Sequence, residues 1–162
     1  MKKILFIACF VAGPVLAAEP CQGTRPDDFN ATEDGLVIDD RTGLMWTRCL
    51  AGMTWDGTSC TGTATETDSE GAFQLAVDAT LAGHNDWRVP NIKELDSLAE
   101  LACQAPAMDA MAFPGMPTEG FLWSSTPHVL NEHAGFWVLG IESGQITTRN
   151  DRAYVLLVRD AD

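Results

Sequence analysis

Long apolar runs, basic residues and a glycine repeat are all scarce in this 162-residue sequence, and each shortage excludes a class of protein. After residue 11 no apolar run approaches the roughly 20 residues that a membrane-spanning helix needs, so we expect no membrane insertion of the mature chain. Ten lysine and arginine residues face 23 aspartate and glutamate residues, and the formal net charge of −13 repels nucleic acid and anionic membranes. The 14 glycines lack the every-third-residue period of collagen. The sequence therefore indicates a globular protein that does not bind nucleic acid.

The first 17 residues have the three parts of a secretory signal peptide. Lys2-Lys3 precedes an apolar segment at residues 4–11, and the small residues that end at Ala17 suit signal peptidase. Cleavage after Ala17 predicts a periplasmic or extracellular protein with one domain, residues 18–162. A lipid anchor is the less favoured alternative, because the residues before Cys21 are not the small ones that lipoprotein processing needs.

Removal of the signal peptide increases the acidic surplus. It takes away two of the ten basic residues and none of the 23 acidic ones, which leaves 8 against 23 and a formal net charge of −15. A solvated surface explains this charge, and calcium or a cationic partner is the alternative. Calcium needs about six to eight converging oxygens, and no loop has the D-x-[DN]-x-[DN]-G arrangement. The carboxylates that could bind calcium are concentrated at Asp27, Asp28, Glu33, Asp34, Asp39 and Asp40. Because the calcium-loop arrangement is missing, we predict no cofactor and no metal site.

The four cysteines of the mature chain form an even set, which indicates disulfides in an oxidising compartment. They allow three pairings. The stretch from Cys49 to Cys60 can close as a local loop that turns at Asp56-Gly57, which leaves Cys21 to pair with Cys103. Zinc is the alternative, but no two cysteines have the short C-x(2–4)-C spacing of structural zinc sites.

The first half of the mature chain predicts a hairpin and a helix. Residues 36–47 place turn residues between two short apolar strands. Asp68 or Ser69 can cap a helix that ends at a glycine stop, Gly83. The apolar face of this helix is predicted to consist of Phe73, Ala76, Val77, Thr80 and Leu81.

The stretch GHNDWRVPNIKEL predicts a corner followed by a second helix. Pro90 holds the residues before it in extended conformation, and Asn91 with Glu94 forms a variant of the capping box. Arg88 lies beside a tryptophan that is expected to be buried, so it needs a carboxylate or carbonyl partner. We interpret Arg88 as one half of an internal ion pair, with substrate binding as the alternative. The predicted apolar face of the helix is Ile92, Leu95, Leu98, Ala99 and Ala102.

Strand character returns after Cys103. The stretch QAPAMDAMAFPGMPTEG has no sustained periodicity and is expected to wrap irregularly around the core. Strands are predicted at residues 121–126, 135–139 and 153–159, with a fourth, edge-like strand at residues 145–148. Two helices followed by antiparallel strands indicate an α+β domain.

Five segments resemble, in order and spacing, motifs of the Lcl C-terminal-domain family of bacterial proteins. The segments are DRTGLMW, GHNDWRVPNIKEL, FPGMP followed by FLWSST, FWVLG with ESGQI, and VLLVR. The resemblance covers about residues 36–159. It implies a C-type-lectin-like architecture, shared with the sulfatase-modifying (formylglycine-generating) domains, in which the N- and C-terminal strands lie close together. It also favours the Cys49–Cys60 disulfide.

The resemblance further implies a recognition function, because the name-giving member is an adhesin whose domain binds sulfated glycans. Such glycans are recognised by arginine and lysine clusters, which a chain with this acidic surplus does not offer. The expected partner is therefore another glycan or an envelope protein.

No residue pattern is typical of a catalytic site, so we predict that the protein is not an enzyme. Disulfides would use the thiols of Cys60 and Cys103, the candidates for a nucleophile of the sulfatase-modifying type. His128 and His133, expected in a connecting loop, have a five-residue spacing that fits neither a zinc-binding helix nor a triad signature. The alternatives are an enzyme of the sulfatase-modifying type and a structural subunit of an envelope or pilus-type assembly.

The predicted binding surface is a loop-rich side with exposed aromatic and planar polar groups, which suit sugars and peptides. Its residues are Trp123, His128, Asn131, Glu132, Arg149, Asn150, Asp151 and Arg152. Structural roles are predicted for Trp46, Trp87, Arg88, Glu94, Trp137 and Arg159.

Overall fold

Two short helices and eleven strands follow one another in the computed structural model, which describes residues 21–130 and 133–162. The predicted signal peptide and the predicted ligand-binding residues Asn131 and Glu132 lie outside the described residues. A 3₁₀ turn, Pro26–Asp28, precedes the strands, and the helices are α1 (Ser69–Asp78) and α2 (Ile92–Leu98). The strands are β1 (Phe29–Ala31), β2 (Leu36–Asp39), β3 (Leu44–Thr47), β4 (Met53–Trp55), β5 (Cys60–Gly62), β6 (Glu66–Thr67), β7 (Phe121–Leu130), β8 (His133–Gly140), β9 (Ile146–Arg149), β10 (Ala153–Tyr154) and β11 (Val158–Asp160). The predicted α+β class is thus confirmed.

Helix α1 begins where the sequence predicts and ends earlier. The Asp68 side chain accepts a hydrogen bond from the Gly71 N–H at 2.8 Å, which confirms an N-cap at this position. The helix ends at Asp78, and Ala79 is already extended, so the predicted stop at Gly83 is wrong.

The predicted apolar face of α1 is also partly wrong. Ala76 is buried as expected, but Phe73 is 37% exposed and Val77 is 75% exposed. The core side of the helix is formed by Ala72 and Ala76, whose size allows the helix to approach the sheet closely.

Helix α2 has the predicted capping box. The Asn91 side chain accepts hydrogen bonds from the N–H groups of Lys93 (2.9 Å) and Glu94 (3.0 Å), and the Glu94 carboxylate accepts one from the Asn91 N–H (2.7 Å). Leu95 and Leu98 are buried. The helix ends at Leu98, so Ala102, predicted on its apolar face, lies outside it and is exposed.

The terminal strands share one antiparallel sheet with the order β1-β2-β3-β11. The predicted hairpin is confirmed, with Leu36 opposite Thr47 and Asp39 opposite Leu44. Strand β11 completes the sheet through the pair Val158–Trp46. The N- and C-terminal strands therefore share one sheet, with β1 and β11 at its two edges.

The second sheet has the order β6-β10-β7-β8-β9, and its β10–β7 pair is parallel. The predicted edge strand is confirmed as β9. The single strand predicted at residues 153–159 is wrong, because the chain forms β10 in this sheet and β11 in the other. The connecting loop predicted around His128 and His133 is also wrong, because β7 and β8 extend through these residues and pair as far as Leu130–His133.

A bulge in β7 attaches this sheet to α2. The register shifts between Trp123 and Pro127, where the intervening residues lie opposite the single residue Trp137. Within the bulge, the Ser125 N–H donates to the Pro90 carbonyl (2.7 Å), and the Thr126 hydroxyl accepts from the N–H of Ile92 (3.0 Å). The bulge therefore fixes the position of the α2 N-terminus.

Buried side chains form two clusters. The larger includes Trp46, Phe113, Leu122 and Leu156, and the other includes Trp87. Both tryptophans have the buried positions expected of structural residues, with exposures of 0% for Trp46 and 4% for Trp87.

Both predicted disulfides are confirmed. Cys21 and Cys103 are bonded with a Cα–Cα distance of 5.8 Å, and Cys49 and Cys60 are bonded with a Cα–Cα distance of 5.4 Å. The zinc alternative for these four cysteines is thereby removed. No helix in residues 21–130 or 133–162 is long and apolar enough to cross a membrane.

The two structural arginines have carboxylate partners. Arg88 forms a bidentate pair with Glu94 (2.7 and 2.8 Å), which is the ion pair that the sequence predicts. Arg159 is 5% exposed and donates to Asp86 (2.8 Å) and Asp162 (3.0 Å), which raise the pKa of its guanidinium.

Candidate functional site

Of the predicted ligand-binding residues that the structure describes, His128 lies in the distal half of the β7–β8 hairpin, and residues 149–152 lie at and after the end of β9. We call this part of the hairpin together with residues 149–152 the hairpin surface. The imidazole of His128 meets the indole of Trp137 edge-on, with ring centroids 4.8 Å apart. Both side chains are half-buried, and Asn150 beside them is exposed. The structure thus places a histidine, an indole and an amide in one region of the sheet.

Gly135 allows these groups to come close. It lies opposite His128 in the β7–β8 register. A Cβ atom at Gly135 would lie 2.5 Å from the Arg149 carbonyl oxygen and 3.6 Å from the Asn150 Cβ. Only glycine therefore permits this approach of the end of β9.

Trp123 does not belong to the hairpin surface. It is 1% exposed, its ring packs edge-on against Phe136, and its indole N–H donates to the Thr67 carbonyl at 2.8 Å. The prediction that Trp123 is an exposed contact residue is therefore wrong. In the sequence FLWSST nothing local distinguishes the core-facing side of the strand from the other side, because apolar and polar residues do not alternate there.

The two arginines of the hairpin surface are engaged within the chain. Arg149 forms a bidentate pair with Asp151 and lies 4.3 Å from the centroid of the Phe121 ring. The pKa of the exposed Asp151 carboxyl is lowered by the hydrogen bond from Arg149. Arg152 donates to the Glu66 carbonyl. Of residues 149–152, Asn150 thus has the side chain with the greatest freedom to meet a ligand.

A second candidate site was not predicted from the sequence. It is a cleft of about 410 Å³, within the range of small-ligand pockets. Five separate parts of the chain line it: residues 34–36, Thr47, residues 49–55, Leu75 of α1 with residues 79, 81 and 82, and Leu157. Most of these residues are apolar. A cleft built from five distant parts leaves no local motif in the sequence.

Trp55 forms one wall of the cleft and is fixed on both sides. Its indole N–H donates to the Glu33 carbonyl at 3.0 Å, and the guanidinium of Arg48 lies 4.3 Å from the ring centroid. Gly35 has φ +79°, and a Cβ there would lie 2.5 Å from Cγ of Trp55. The close approach of Gly35, the Glu33 carbonyl and the Arg48 guanidinium thus holds the indole in this orientation.

Arg48 connects the cleft to a smaller cavity of about 290 Å³ near residues 109–112. Its guanidinium donates to the carbonyls of Ala112 (2.8 Å) and Met111 (2.6 Å). Burial lowers the pKa of Arg48. Among the described residues no carboxylate lies within 4 Å of this guanidinium, so the two carbonyls and the Trp55 ring compensate its charge.

The mouth of the cleft is negative. Asp34 is the one charged residue among those that line it. Ala79, the C-cap of α1, also lines the cleft, and the last turn of α1 contains no basic residue. The carbonyl end of a helix carries partial negative charge, so the carboxylate and the helix end have the same sign.

No metal-binding centre is evident in the part of the chain that the structure describes. No group of three or more histidine, cysteine, aspartate or glutamate side chains is placed there to hold a metal ion.

Comparison with known proteins gives one result. A family model described as the Lcl C-terminal domain matches residues 35–159, well over half of the chain. Neither the curated proteins nor the solved structures contain a significant match.

Proposed function

The chain belongs to the Lcl C-terminal domain family, and on that basis we propose that it is an exported recognition domain that binds a ligand and catalyses no reaction. The observation that carries the proposal is the cleft, which offers an apolar concave surface with a tryptophan wall that is held by a hydrogen bond and a cation–π contact. Ligand sites have this character, with mostly apolar linings and a few fixed polar groups. The disulfides support export, because such bonds persist in oxidising compartments.

A neutral apolar dye tests the cleft without knowledge of the natural ligand. We expect Nile red to bind the mature protein saturably, with a blue-shifted emission. Ala79→Leu, which places extra methylene groups in the cleft, should weaken this binding. The matched control is Val77→Leu, at an exposed position of the same helix that does not line the cleft. Equal binding by the two variants would show that the cleft is not the site.

The alternative of an enzyme of the sulfatase-modifying type is tested by thiol titration. The Cys49–Cys60 disulfide would have to open before Cys60 could act as a nucleophile, and the Cys21–Cys103 disulfide before Cys103 could. We expect no free thiol in the native mature protein, whereas two or more would favour the enzyme. Co-purification from the native envelope with a constant set of subunits would favour a structural role instead.

The hairpin surface is a second candidate for ligand contact and suits a glycan. The observation in its favour is the half-buried pair His128–Trp137 beside the exposed amide of Asn150, because sugars stack on aromatic rings and hydrogen-bond to planar amides. A glycan array with and without calcium tests this role together with the calcium alternative. Trp137→Ala should reduce any binding, whereas Val129→Ala, at a 72% exposed position of the same hairpin, should not.

A further inference from the structure

The cleft is bordered by a strand that has a partner on only one side. Strand β4 pairs with β5 in a two-stranded sheet. Residues 51–55, which include β4, line the cleft, and no residue of β5 does. The cleft is therefore lined by β4 and not by the partner strand of β4.

The register of the hairpin shows which main-chain groups face outward. The Asp56 N–H donates to the Ser59 carbonyl at 3.0 Å, so residues 56 and 59 form a hydrogen-bonded pair. Hydrogen-bonded and non-hydrogen-bonded pairs alternate in antiparallel ladders, so Thr54 bonds toward β5 whereas Met53 and Trp55 point away. The Met53 N–H is used by the Leu50 carbonyl at 3.0 Å. Among the described residues the Trp55 N–H and the carbonyls of Met53 and Trp55 have no backbone partner outside the ladder.

An open strand edge next to an apolar cleft is the arrangement by which extended peptides bind. The peptide adds a strand through main-chain hydrogen bonds, and alternate side chains enter pockets. Here the pocket is the cleft, and its negative mouth at Asp34 and the α1 end favours a positive neighbour of the inserted side chain.

We infer that the cleft binds an extended segment of another protein, which pairs with the open edge of β4, inserts one large apolar side chain and places a lysine or arginine beside Asp34. This inference rests on the proposed function, since it names the partner of the same cleft. A second copy of the chain fits less well, because both copies would carry the acidic surplus.

Synthetic pentapeptides test the three parts of the inference separately, with titration calorimetry of the disulfide-intact mature protein. The parent is Lys-Val-Phe-Val-Lys with blocked termini, alongside versions with Leu or Ile at the centre. Replacement of the central residue by Ala should weaken binding about tenfold or more. Replacement of both lysines by glutamate should also weaken binding relative to the parent peptide, and this loss of affinity should become larger as the salt concentration is lowered. N-methylation of the bonding amides should weaken it at least about fivefold, because it removes the strand pairing and leaves the side chains in place.

Variants of the protein locate the contact. Asp34→Asn should weaken the lysine peptide about two- to fivefold and should not weaken the version in which glutamate replaces both lysines. The matched control is Glu119→Gln, at an exposed carboxylate that does not line the cleft. Ala79→Leu should weaken both the peptide and the dye.

The outcomes separate this inference from the proposed function. If Nile red binds the cleft but no parent peptide binds at millimolar concentration, or if N-methylation has no effect, the inference is overturned and the recognition function stands. If neither probe depends on Ala79, both are overturned. A concentration-dependent dimer that Ala79→Leu abolishes would overturn the foreign partner in favour of a second copy.

Discussion

Arg88 connects its own segment to α2, which follows it closely in the sequence, and to β11 near the end of the chain. Its side chain binds Glu94 in α2 and reaches Asp160 in β11 at 3.4 Å. Its main chain exchanges two hydrogen bonds with Val158, at 2.9 and 3.0 Å. Burial raises the pKa of Glu94, but the hydrogen bonds from Arg88 and Asn91 and the charge of Arg88 together lower it below its ordinary value, so the pair is ionised at neutral pH.

Replacement of Arg88 by leucine should therefore reduce folding stability rather than binding. The Glu94 side chain is 16% exposed and would lose its cationic partner, while the Arg88 side chain is 40% exposed and already partly screened. We expect Arg88→Leu to lower the free energy of unfolding by about 2 kcal/mol, and Arg88→Lys to lower it by about half as much. Urea denaturation measures both, with Lys93→Leu on the exposed side of α2 as control. Normal stability combined with loss of a ligand would instead favour the substrate-binding alternative.

Glu100 gives the protein a specific sensitivity to acid. It is 7% exposed and accepts hydrogen bonds from the hydroxyl and the N–H of Thr24, both at 2.7 Å. These bonds lower the pKa of Glu100 below its ordinary value of 4.5. A carboxyl whose pKa is lower in the folded state stabilises the fold above the unfolded pKa, and this contribution disappears as the pH falls through the folded pKa.

Glu100→Gln should remove this part of the pH dependence. We expect the variant to be less stable than wild type by about 1–2 kcal/mol at pH 7, because an amide accepts these bonds less strongly. The difference should shrink below pH 4.5 as wild-type Glu100 becomes protonated. Urea denaturation at a series of pH values measures the two curves. Parallel curves from pH 7 to pH 3 would contradict the assignment, and Glu119→Gln, at an exposed position, should leave the curve unchanged.

At the scale of elements, the two helix caps allow a direct comparison. Asn91 accepts two main-chain hydrogen bonds and takes part in a reciprocal box with Glu94, whereas Asp68 accepts one bond at an exposed helix start. We expect Asn91→Ala to cost about 1–2 kcal/mol and Asp68→Ala about 1 kcal/mol or less. Equilibrium unfolding in urea measures both costs, with the same dependence of the unfolding free energy on urea concentration for the wild type and the variants. A larger cost for Asp68→Ala would show that tertiary contacts, rather than the caps, determine the stability of the two helix starts.

The elements also show which parts of the fold were predictable from sequence. The β2–β3 hairpin, the α2 capping box and the local disulfide loop were predictable because turn residues, caps and cysteine spacing act over a few neighbours. The end of α1, the extension of β7 and β8 past His128, and the separation of β10 from β11 were not. Each of these depends on which distant segment supplies a partner, as the parallel β10–β7 contact does.

The candidate sites follow the same division. The carboxylate partner of Arg88 was predictable, because Glu94 is six residues away and is placed by a cap. The cleft was not, because five separated segments form it. Trp123 was assigned to the wrong side of its strand, since the bulge at residues 124–126 and the packing of Phe136 decide which face is buried.

At the scale of the whole molecule, charge is distributed unequally between engaged arginines and free carboxylates. Every arginine in the described part of the chain is used internally. Arg25, Arg41, Arg48 and Arg152 donate to main-chain carbonyls, and Arg88, Arg149 and Arg159 pair with carboxylates. The acidic surplus is therefore presented to solvent with few cations to offset it. A surface of this kind attracts a basic partner at low salt and disfavours sulfated glycans.

The two disulfides close loops of different length. Removal of each disulfide in turn should separate an effect on folding stability from an effect on ligand binding. On the chain-entropy model, a cross-link stabilises more when it closes a longer loop. Cys21–Cys103 spans 82 residues and Cys49–Cys60 spans 11, so we expect the double serine variants to lose about 4.5 and about 3 kcal/mol respectively. The second disulfide, however, closes the β4–β5 hairpin that forms the wall of the cleft.

The expected result is therefore a crossed pattern under conditions in which both variants remain folded. The Cys21/Cys103 variant should have the lower melting temperature and bind Nile red with nearly wild-type affinity, because no residue of that bond lines the cleft. The Cys49/Cys60 variant should be the more stable of the two. It should bind the dye more weakly, because without this bond the β4–β5 hairpin can move away from the other residues that line the cleft. Calorimetric melting and dye titration on the same samples provide both measurements. Equal losses of dye binding would mean that the cleft depends only on global stability, and the disulfide hairpin would then have no separate part in recognition.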